Sequence, residues 1–279
     1  MAIFMNNAAI GVFDSGLGGL TCVKELNKLI PNENIIYFGD TARVPYGTRS
    51  REAIIEYANQ DIGFIKSHSV KLIIAACGTV SSVMGTDKKE AGNIPFTGVL
   101  LPAAQTACSR TKNGKIGVIG TPATIRSGAY GKAVRGIRPD VSVIGNACPL
   151  FVPLVEYGFT DKNDPITRLA IEKYLSPLKN EGVDTLILGC THYPIIKDAI
   201  AEYMGESVTI ISSGEEAAKY AHSLLISKEL LSDRSEAGKN TYYTSDSIEL
   251  FEENAHSFLG DTINGEVHKV GIDDLIRMC

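Results

Sequence analysis

The sequence reads as an α/β protein made of two similar α/β domains with mainly parallel sheets. Three observations predict this. Short apolar runs alternate with stretches of helical periodicity along the chain. The apolar runs are continuous, as strands of a parallel sheet covered on both faces require. Two pairs of segments also match: Ile10-Gly-Val-Phe13 with Ile116-Gly-Val-Ile119, and Ile73-Ile-Ala-Ala-Cys77-Gly-Thr79 with Leu186-Ile-Leu-Gly-Cys190-Thr191. Each half therefore starts with a similar strand and sets a cysteine after a later one. If the halves face each other, their C-terminal strand ends share one crevice, the place where α/β sheets bind ligands. The length of 279 residues agrees with two domains.

Taken in order, Ile10-Gly-Val-Phe13 is a strand and Asp14-Ser-Gly-Leu-Gly-Gly19 a turn. Leu20, Val23, Leu26 and Ile30 form the inner face of a helix that Pro31 stops. Ile35-Ile-Tyr-Phe38 is a second strand, and Ser50 caps a helix whose inner face is Ile54, Ala58, Ile62 and Ile65. Leu72-Ile-Ile-Ala-Ala76 is a third strand, ending at Cys77. In the second half, Ile116–Ile119, Val141–Ile144, Thr185–Leu188 and Val208–Ile211 are strands. Asp164-Pro165 opens a helix as N-cap and first helical residue. Ser213-Gly-Glu-Glu216 spells a capping box, with Ser213 as N-cap and Glu216 at N3. The polar run Ser232–Gly238 reads as a linker, Tyr242-Tyr243 as a short strand, and Asp246 and Glu249 as a helix opening.

Composition removes several function classes. The net charge of −5 argues against a basic nucleic-acid footprint. Six cysteines in 279 residues are too few for a disulfide scaffold, and no pair has the C-x-x-C spacing of a zinc knuckle or redox motif. No apolar stretch reaches the ~18 residues of a membrane span, and the N-terminus lacks the basic, apolar pattern of a signal peptide. A cytoplasmic enzyme with reduced thiols and no bound metal is the expected class.

The chemistry-bearing residues lie where strands end. Gly16-Leu-Gly-Gly-Leu-Thr21 lacks the last glycine of a dinucleotide fingerprint and the Gly-Lys-Ser/Thr of a P-loop. It is either an anion site at a helix N-terminus or a tight turn, with Asp14 and Ser15 on the usual catalytic edge. Cys77 and Cys190 each follow an apolar strand and stand beside small polar residues, and His192 lies two residues beyond Cys190. A nearby histidine or helix N-terminus favours a thiolate. Two such thiols from two similar halves suggest an acid–base pair on opposite sides of one substrate. Cys22, Cys108, Cys148 and Cys279 read as ordinary buried or surface residues. In Gly39-Asp-Thr-Ala-Arg-Val-Pro-Tyr-Gly47, either Tyr46 and Gly47 present a hydroxyl and backbone N–H groups to a ligand, or the segment is a surface loop capped by Asp40. Glu156 is a helix-surface charge or a carboxylate behind the site. Lys24, Lys28, Lys71, Lys88 and Lys89 are placed on polar faces, and none has a Schiff-base cofactor signature.

The motifs Ile10-Gly-Val-Phe-Asp-Ser-Gly-Leu-Gly-Gly-Leu-Thr21, Gly39–Gly47, Gly98-Val-Leu-Leu-Pro-Ala103, Ile116-Gly-Val-Ile-Gly-Thr121, Ala147-Cys-Pro-Leu150, Leu188-Gly-Cys-Thr-His-Tyr-Pro194 and Ser213–Glu216 together resemble the glutamate racemase family. The resemblance implies a cofactor-independent interconversion of L- and D-glutamate that supplies peptidoglycan synthesis, and with it cell-wall biogenesis and cell shape. It implies a first domain of residues 1–99 plus 213–279, the chain's end folding back, and a second domain of residues 100–212. On this pattern Cys190 takes the proton from L-glutamate and Cys77 from D-glutamate, assisted by Asp14, Glu156 and His192. Asp14, Ser15, Tyr46, Gly47, Gly78, Thr79, Thr121, Thr191 and His192 are the expected substrate contacts. A small-molecule partner and a homodimer are implied, with no nucleic acid, membrane, metal or cofactor.

One departure matters. The family usually has Cys-Asn-Thr where this chain has Cys77-Gly78-Thr79. Gly78 lacks the side-chain donor, so weaker substrate binding or a shifted site geometry is expected. No arginine is evident for a distal carboxylate. A two-thiol racemase for aspartate or another amino acid, or a weakly active small-acid-binding relative, are the alternatives.

Overall fold

The computed structural model describes residues 6–85, 91–260 and 263–278. The first part of the chain gives β1 (Ile10–Asp14), α1 (Leu20–Leu29), β2 (Ile35–Gly39), α2 (Arg51–Ser67), β3 (Leu72–Ala75), α3 (Gly78–Met84) and β4 (Phe96–Gly98). The middle gives α4 (Leu100–Arg110), β5 (Lys115–Gly120), α5 (Pro122–Ser127), α6 (Ala129–Ile137), β6 (Ser142–Ala147), α7 (Phe151–Glu156), α8 (Pro165–Asn180), β7 (Thr185–Leu188), α9 (Lys197–Met204) and β8 (Thr209–Ser212). The last part gives α10 (Ser213–Ser227), β9 (Asn240–Thr244), α11 (Ile248–Leu259), β10 (Gly265–Lys269) and α12 (Ile272–Ile276).

The described strands form two sheets, ordered β10-β9-β2-β1-β3-β4 and β6-β5-β7-β8. Every neighbouring pair is parallel. The order β2-β1-β3-β4 recurs as β6-β5-β7-β8, so the two sequence matches fall on equivalent strands, β1 with β5 and β3 with β7. The continuous apolar runs are explained by burial: all residues of β1, β3 and β7 are covered.

Local signals operate largely as read. The Ser50 hydroxyl accepts the Ala53 N–H at 3.2 Å, and Ile54, Ala58, Ile62 and Ile65 are buried. Asp164 accepts the N–H groups of Ile166 and Thr167, with Pro165 in the first turn of α8. The capping box at Ser213 does not form. β8 runs straight into α10, so Ser212 becomes the N-cap, without a side-chain capping bond, and Ser213 is already helical. Glu216 accepts instead from Thr106 at 2.6 Å and from Lys219 at 2.8 Å. Ser247, between the two expected acidic residues, caps α11 by accepting the Leu250 N–H at 3.2 Å. β10 carries no apolar run because it is an exposed edge strand, and the sequence offered no period to find it by.

The segment read as a linker is strapped to the first sheet's surroundings. Ser232 N–H donates to Glu33 at 2.7 Å, Arg234 to the Asn32 carbonyl at 3.1 Å, and Gly238 N–H to the Pro31 carbonyl at 2.8 Å. Lys71 is not on a polar face: it is fully buried and pairs with buried Glu33 at 2.5 Å. Lys88, Lys89 and Cys279 lie outside the described residues. Glu33 thus holds both Lys71 and the returning chain. Removing one partner of such a pair strands the other charge, so Lys71→Met is expected to lower unfolding free energy by about 3–5 kcal/mol. Urea denaturation measures this, and an unchanged midpoint refutes it.

Candidate active site between the two sheets

The C-terminal ends of β1, β2 and β3 meet those of β5, β6 and β7 around a cavity of about 290 Å³. Ser15 follows β1, Tyr46 and Gly47 lie in the loop after β2, and Cys77, Gly78 and Thr79 follow β3. Thr121 follows β5 and Cys190, Thr191 and His192 follow β7, while Glu156 closes one side from the end of α7. Strand ends carry these groups because a parallel sheet directs all its βα turns to one side. Of the expected site residues only Asp14 is not on the cavity wall. It lies buried beneath it, where one carboxylate oxygen accepts the N–H groups of Gly16 and Gly19, each at 3.1 Å, and the other has no hydrogen-bond partner among the described residues.

That arrangement decides between the two readings of the glycine-rich turn. Two of its N–H groups are satisfied by Asp14, so it is a turn closed on its own carboxylate rather than an open anion cradle. The Tyr46 hydroxyl is likewise not offered to a ligand: it donates to Asp40 and, at 3.3 Å, to Asp61. Arg43 bridges the same two carboxylates and Ser245 donates to Asp40 at 2.8 Å. Asp40 is therefore the buried anchor of the loop and caps nothing with its side chain. Burial, with the Asp40 charge added, holds the Asp61 carboxyl well above the usual carboxylate range. What the loop gives the cavity is the backbone around Gly47 and the body of Tyr46.

The two thiols differ in surroundings. Cys77 is the N-cap of α3 and is only 4% exposed. Burial, reinforced by the Asp14 charge, pushes its pKa up to about 12, against the pull of donors from Ser15 and Val80. Cys190 is 6% exposed, and its sulfur lies 4.0 Å from His192 Nδ1, whose other ring nitrogen meets Glu156 at 3.2 Å. Burial lowers the His192 pKa, but hydrogen bonds with Cys190 and Glu156 and the charge of Asp14 more than offset this and lift it to about 10. The raised pKa favours the protonated ring at neutral pH, held between Cys190 and the half-exposed Glu156.

Cys148, which the sequence presents as an ordinary buried residue, is buried, yet it lines the cavity together with Pro149, Val152 and Pro153. The available signal was its position: it follows β6 as Cys77 follows β3. Cys22 and Cys108 are buried away from the cavity wall.

Comparison with known proteins shows the family. The Asp/Glu/Hydantoin racemase family profile matches residues 10–221. The chain belongs to that family. A glutamate racemase of Geobacter metallireducens is 46% identical over 265 residues, covering 95% of this chain and 97% of the relative. The solved glutamate racemase of Francisella tularensis, in complex with D-glutamate, superposes with a TM-score of 0.89 at 39% identity, covering 96% and 99% of the two chains. Isoform RacE1 of Bacillus anthracis gives 0.90 at 38% identity, covering 96% and 98%. As in other Asp/Glu/Hydantoin racemases, then, the fold is α/β with two domains.

In this racemase-family cleft the Glu156–His192 pair has a defined pH behaviour. Folding raises the His192 pKa from an ordinary value near 6.5, so the stability it contributes is complete below 6.5 and is lost as pH climbs through about 10. Glu156→Gln is expected to lower the His192 pKa and move the top of that window down. NMR titration of His192 reads this directly; an unshifted titration would mean that Glu156 does not hold the proton there.

Proposed function

We propose that the chain interconverts L- and D-glutamate by two-base proton transfer between Cys77 and Cys190, without an added cofactor. The observation that carries this reading is the placement of the two thiols at equivalent positions, after β3 and β7, on one cavity. Inversion at Cα needs a base on each face, and two related halves facing each other supply one each. Glutamate as substrate is supported by relatives that are glutamate racemases over nearly the full chain. A role in supplying D-glutamate to peptidoglycan follows from that resemblance.

For L-glutamate, the Cys190 thiolate takes the Cα proton, and the electron pair of the broken C–H bond stays on Cα. Cys77 then gives its S–H proton to the opposite face, forming the new C–H bond and leaving a Cys77 thiolate. The raised pKa of Cys77 suits it to hold that proton in the free enzyme. For D-glutamate the roles reverse, with the Ser15 and Val80 donors supporting the Cys77 thiolate. Thr79, Thr121, Thr191, His192 and the backbone of Ser15 and Gly47 bind the substrate, and preorganised donors stabilise charge that develops on the carbanion. His192 passes protons to and from Cys190, with Glu156 behind it. Asp14 holds the turn that carries Ser15, and its unpaired oxygen favours a cationic group such as the substrate ammonium. The low exposure of both thiols keeps water from exchanging the proton in flight.

Circular dichroism of L-glutamate incubated with the protein alone is expected to decay to zero, and that of L-aspartate to persist. Decay with aspartate only would transfer the reading to aspartate; persistence with both would favour a binding protein. Cys77→Ala and Cys190→Ala are each expected to lower kcat/KM by about 10⁴-fold in both directions. Near-normal turnover in either variant excludes two-base transfer.

The same reading includes a division into residues 1–99 plus 213–279 and residues 100–212, supported by β9 and β10 joining the first sheet. It includes a cytoplasmic setting, supported by the free thiols of Cys22, Cys77, Cys108, Cys148 and Cys190. Among the described residues no helix is long and apolar enough to cross a membrane. It includes a homodimer, supported by an exposed groove lined by Leu150, Tyr157, Phe159, Ile166 and Leu169, the last 67% exposed. Leu169→Glu is expected to convert a dimer to monomers in sedimentation velocity. A dimer of unchanged strength would remove this groove from the interface.

A further inference from the structure

Three threonine hydroxyls form a row that runs from the cavity wall into α5. Thr79 Oγ1 lies 2.9 Å from Thr121 Oγ1, and Thr121 Oγ1 lies 3.0 Å from Thr124 Oγ1. Thr79 and Thr121 line the cavity; Thr124 does not, and it is only 1% exposed. Methyl packing sets the rotamers of the inner two. The Thr121 methyl lies over Gly47 and the Thr124 methyl over Gly120, where an added carbon would in each case stand 2.9 Å away. A β-branched side chain held by its methyl group has little freedom left at χ1. The two hydroxyls are therefore kept turned towards each other.

Counting protons gives the row a direction. A hydroxyl has one hydrogen to donate and two lone pairs. Thr121, the N-cap of α5, spends one lone pair on the Thr124 N–H at 3.2 Å. Its other lone pair and its hydrogen serve Thr79 and Thr124, one each. Among the described residues the Thr124 hydroxyl has no partner but Thr121. If Thr121 donated to Thr124, the Thr124 hydrogen would be buried without an acceptor, a state that native interiors avoid. Thr124 therefore donates to Thr121, and Thr121 donates to Thr79. The Thr79 hydrogen is left over for the cavity. Each donor in such a row polarises the next one.

We propose that Thr124 is a positioning residue for substrate binding: acting through Thr121, it makes the Thr79 hydroxyl a donor to a substrate carboxylate. The proposal deepens the glutamate reading and rests on it for the identity of the ligand. A carboxylate oxygen only accepts, so it needs a row that ends on a hydrogen. A row of the opposite direction would present it with the lone pairs of Thr79. Once the Thr124 hydroxyl is removed, both directions are open to the empty site. Only the fraction with the right direction binds, and the apparent affinity falls accordingly. The Thr79 donor also loses the polarisation passed along the row. Thr124 touches neither thiol, so the proton-transfer step is left as it is.

The test compares Thr124→Val, Thr124→Ala and Thr124→Ser with the unchanged chain. Valine keeps the shape of threonine, alanine removes the hydroxyl without adding a carbon, and serine keeps the hydroxyl but drops the methyl. Values of kcat and KM are measured for both enantiomers of glutamate, with calorimetric binding of D-glutamate in parallel. Thr124→Val and Thr124→Ala are expected to raise KM about 5-fold for both enantiomers and to leave kcat within about 2-fold, the pattern of lost binding rather than lost chemistry. Thr124→Ser should match the unchanged chain. An unchanged KM in Thr124→Val and Thr124→Ala overturns the proposal. So does a Thr124→Ser variant as impaired as Thr124→Ala, which would assign the effect to methyl packing, or a fall in kcat at constant KM. If Thr124→Val does not fold, Thr124→Ala against Thr124→Ser decides on the same criteria. If the unchanged chain binds D-glutamate but does not racemise it, the racemase reading fails, and a 5-fold weaker affinity in Thr124→Ala still supports the role of Thr124. If it neither racemises nor binds D-glutamate, both readings fall.

Discussion

The turns after β3 and β7 touch through their backbones, Gly78 against Gly189, and this contact organises the rest of the molecule. It brings Cys77 and Cys190 from two separate sheets to one small cavity. Each sheet supplies a rigid strand end carrying one of these thiols. The parallel arrangement follows from fully apolar strands with helices on both faces, and it sends every reactive turn to the same edge. Two such edges facing each other make one shared cleft.

Buried charge is handled differently on the two sides of the cleft. On the Cys190 side, His192 keeps a proton between a sulfur and a carboxylate. On the Cys77 side, Asp14 spends one oxygen on the turn that carries Ser15, and its charge adds to the burial that holds the Cys77 proton. Beneath the Tyr46 loop, Asp40 and Asp61 share one arginine, and the returning chain adds Ser245 to the same network. The C-terminal segment is therefore part of what holds a wall of the cavity in place, together with its strap onto Glu33 and Lys71.

Much of this was legible in the sequence. The matched strands, the helix cap at Ser50 and the Asp164-Pro165 helix start depend on neighbours only a few residues apart. Local pattern suffices for such features. Readings failed where the deciding partner is distant in the chain. Ser213 has the right neighbours for a capping box, but β8 leaves no turn in which to form one. Lys71 looks like a surface lysine until Glu33 is placed beside it. The Tyr46 hydroxyl looks available until Asp40 and Asp61 take it. Cys148 looks inert until β6 is seen to end at the cavity.

The sequence by itself determined that the protein is α/β, that it repeats one strand scheme twice, and that Cys77 and Cys190 stand apart from the other cysteines. Periodicity and spacing carry that information because each strand–turn–helix unit is local. Only the tertiary structure decided how the two units face each other and which polar groups are already satisfied, because both depend on residues far apart in the chain. As a motif, Gly78 was a missing side-chain donor. In the fold it lies against the backbone of Gly189, in the turn after β7 and more than a hundred residues away along the chain.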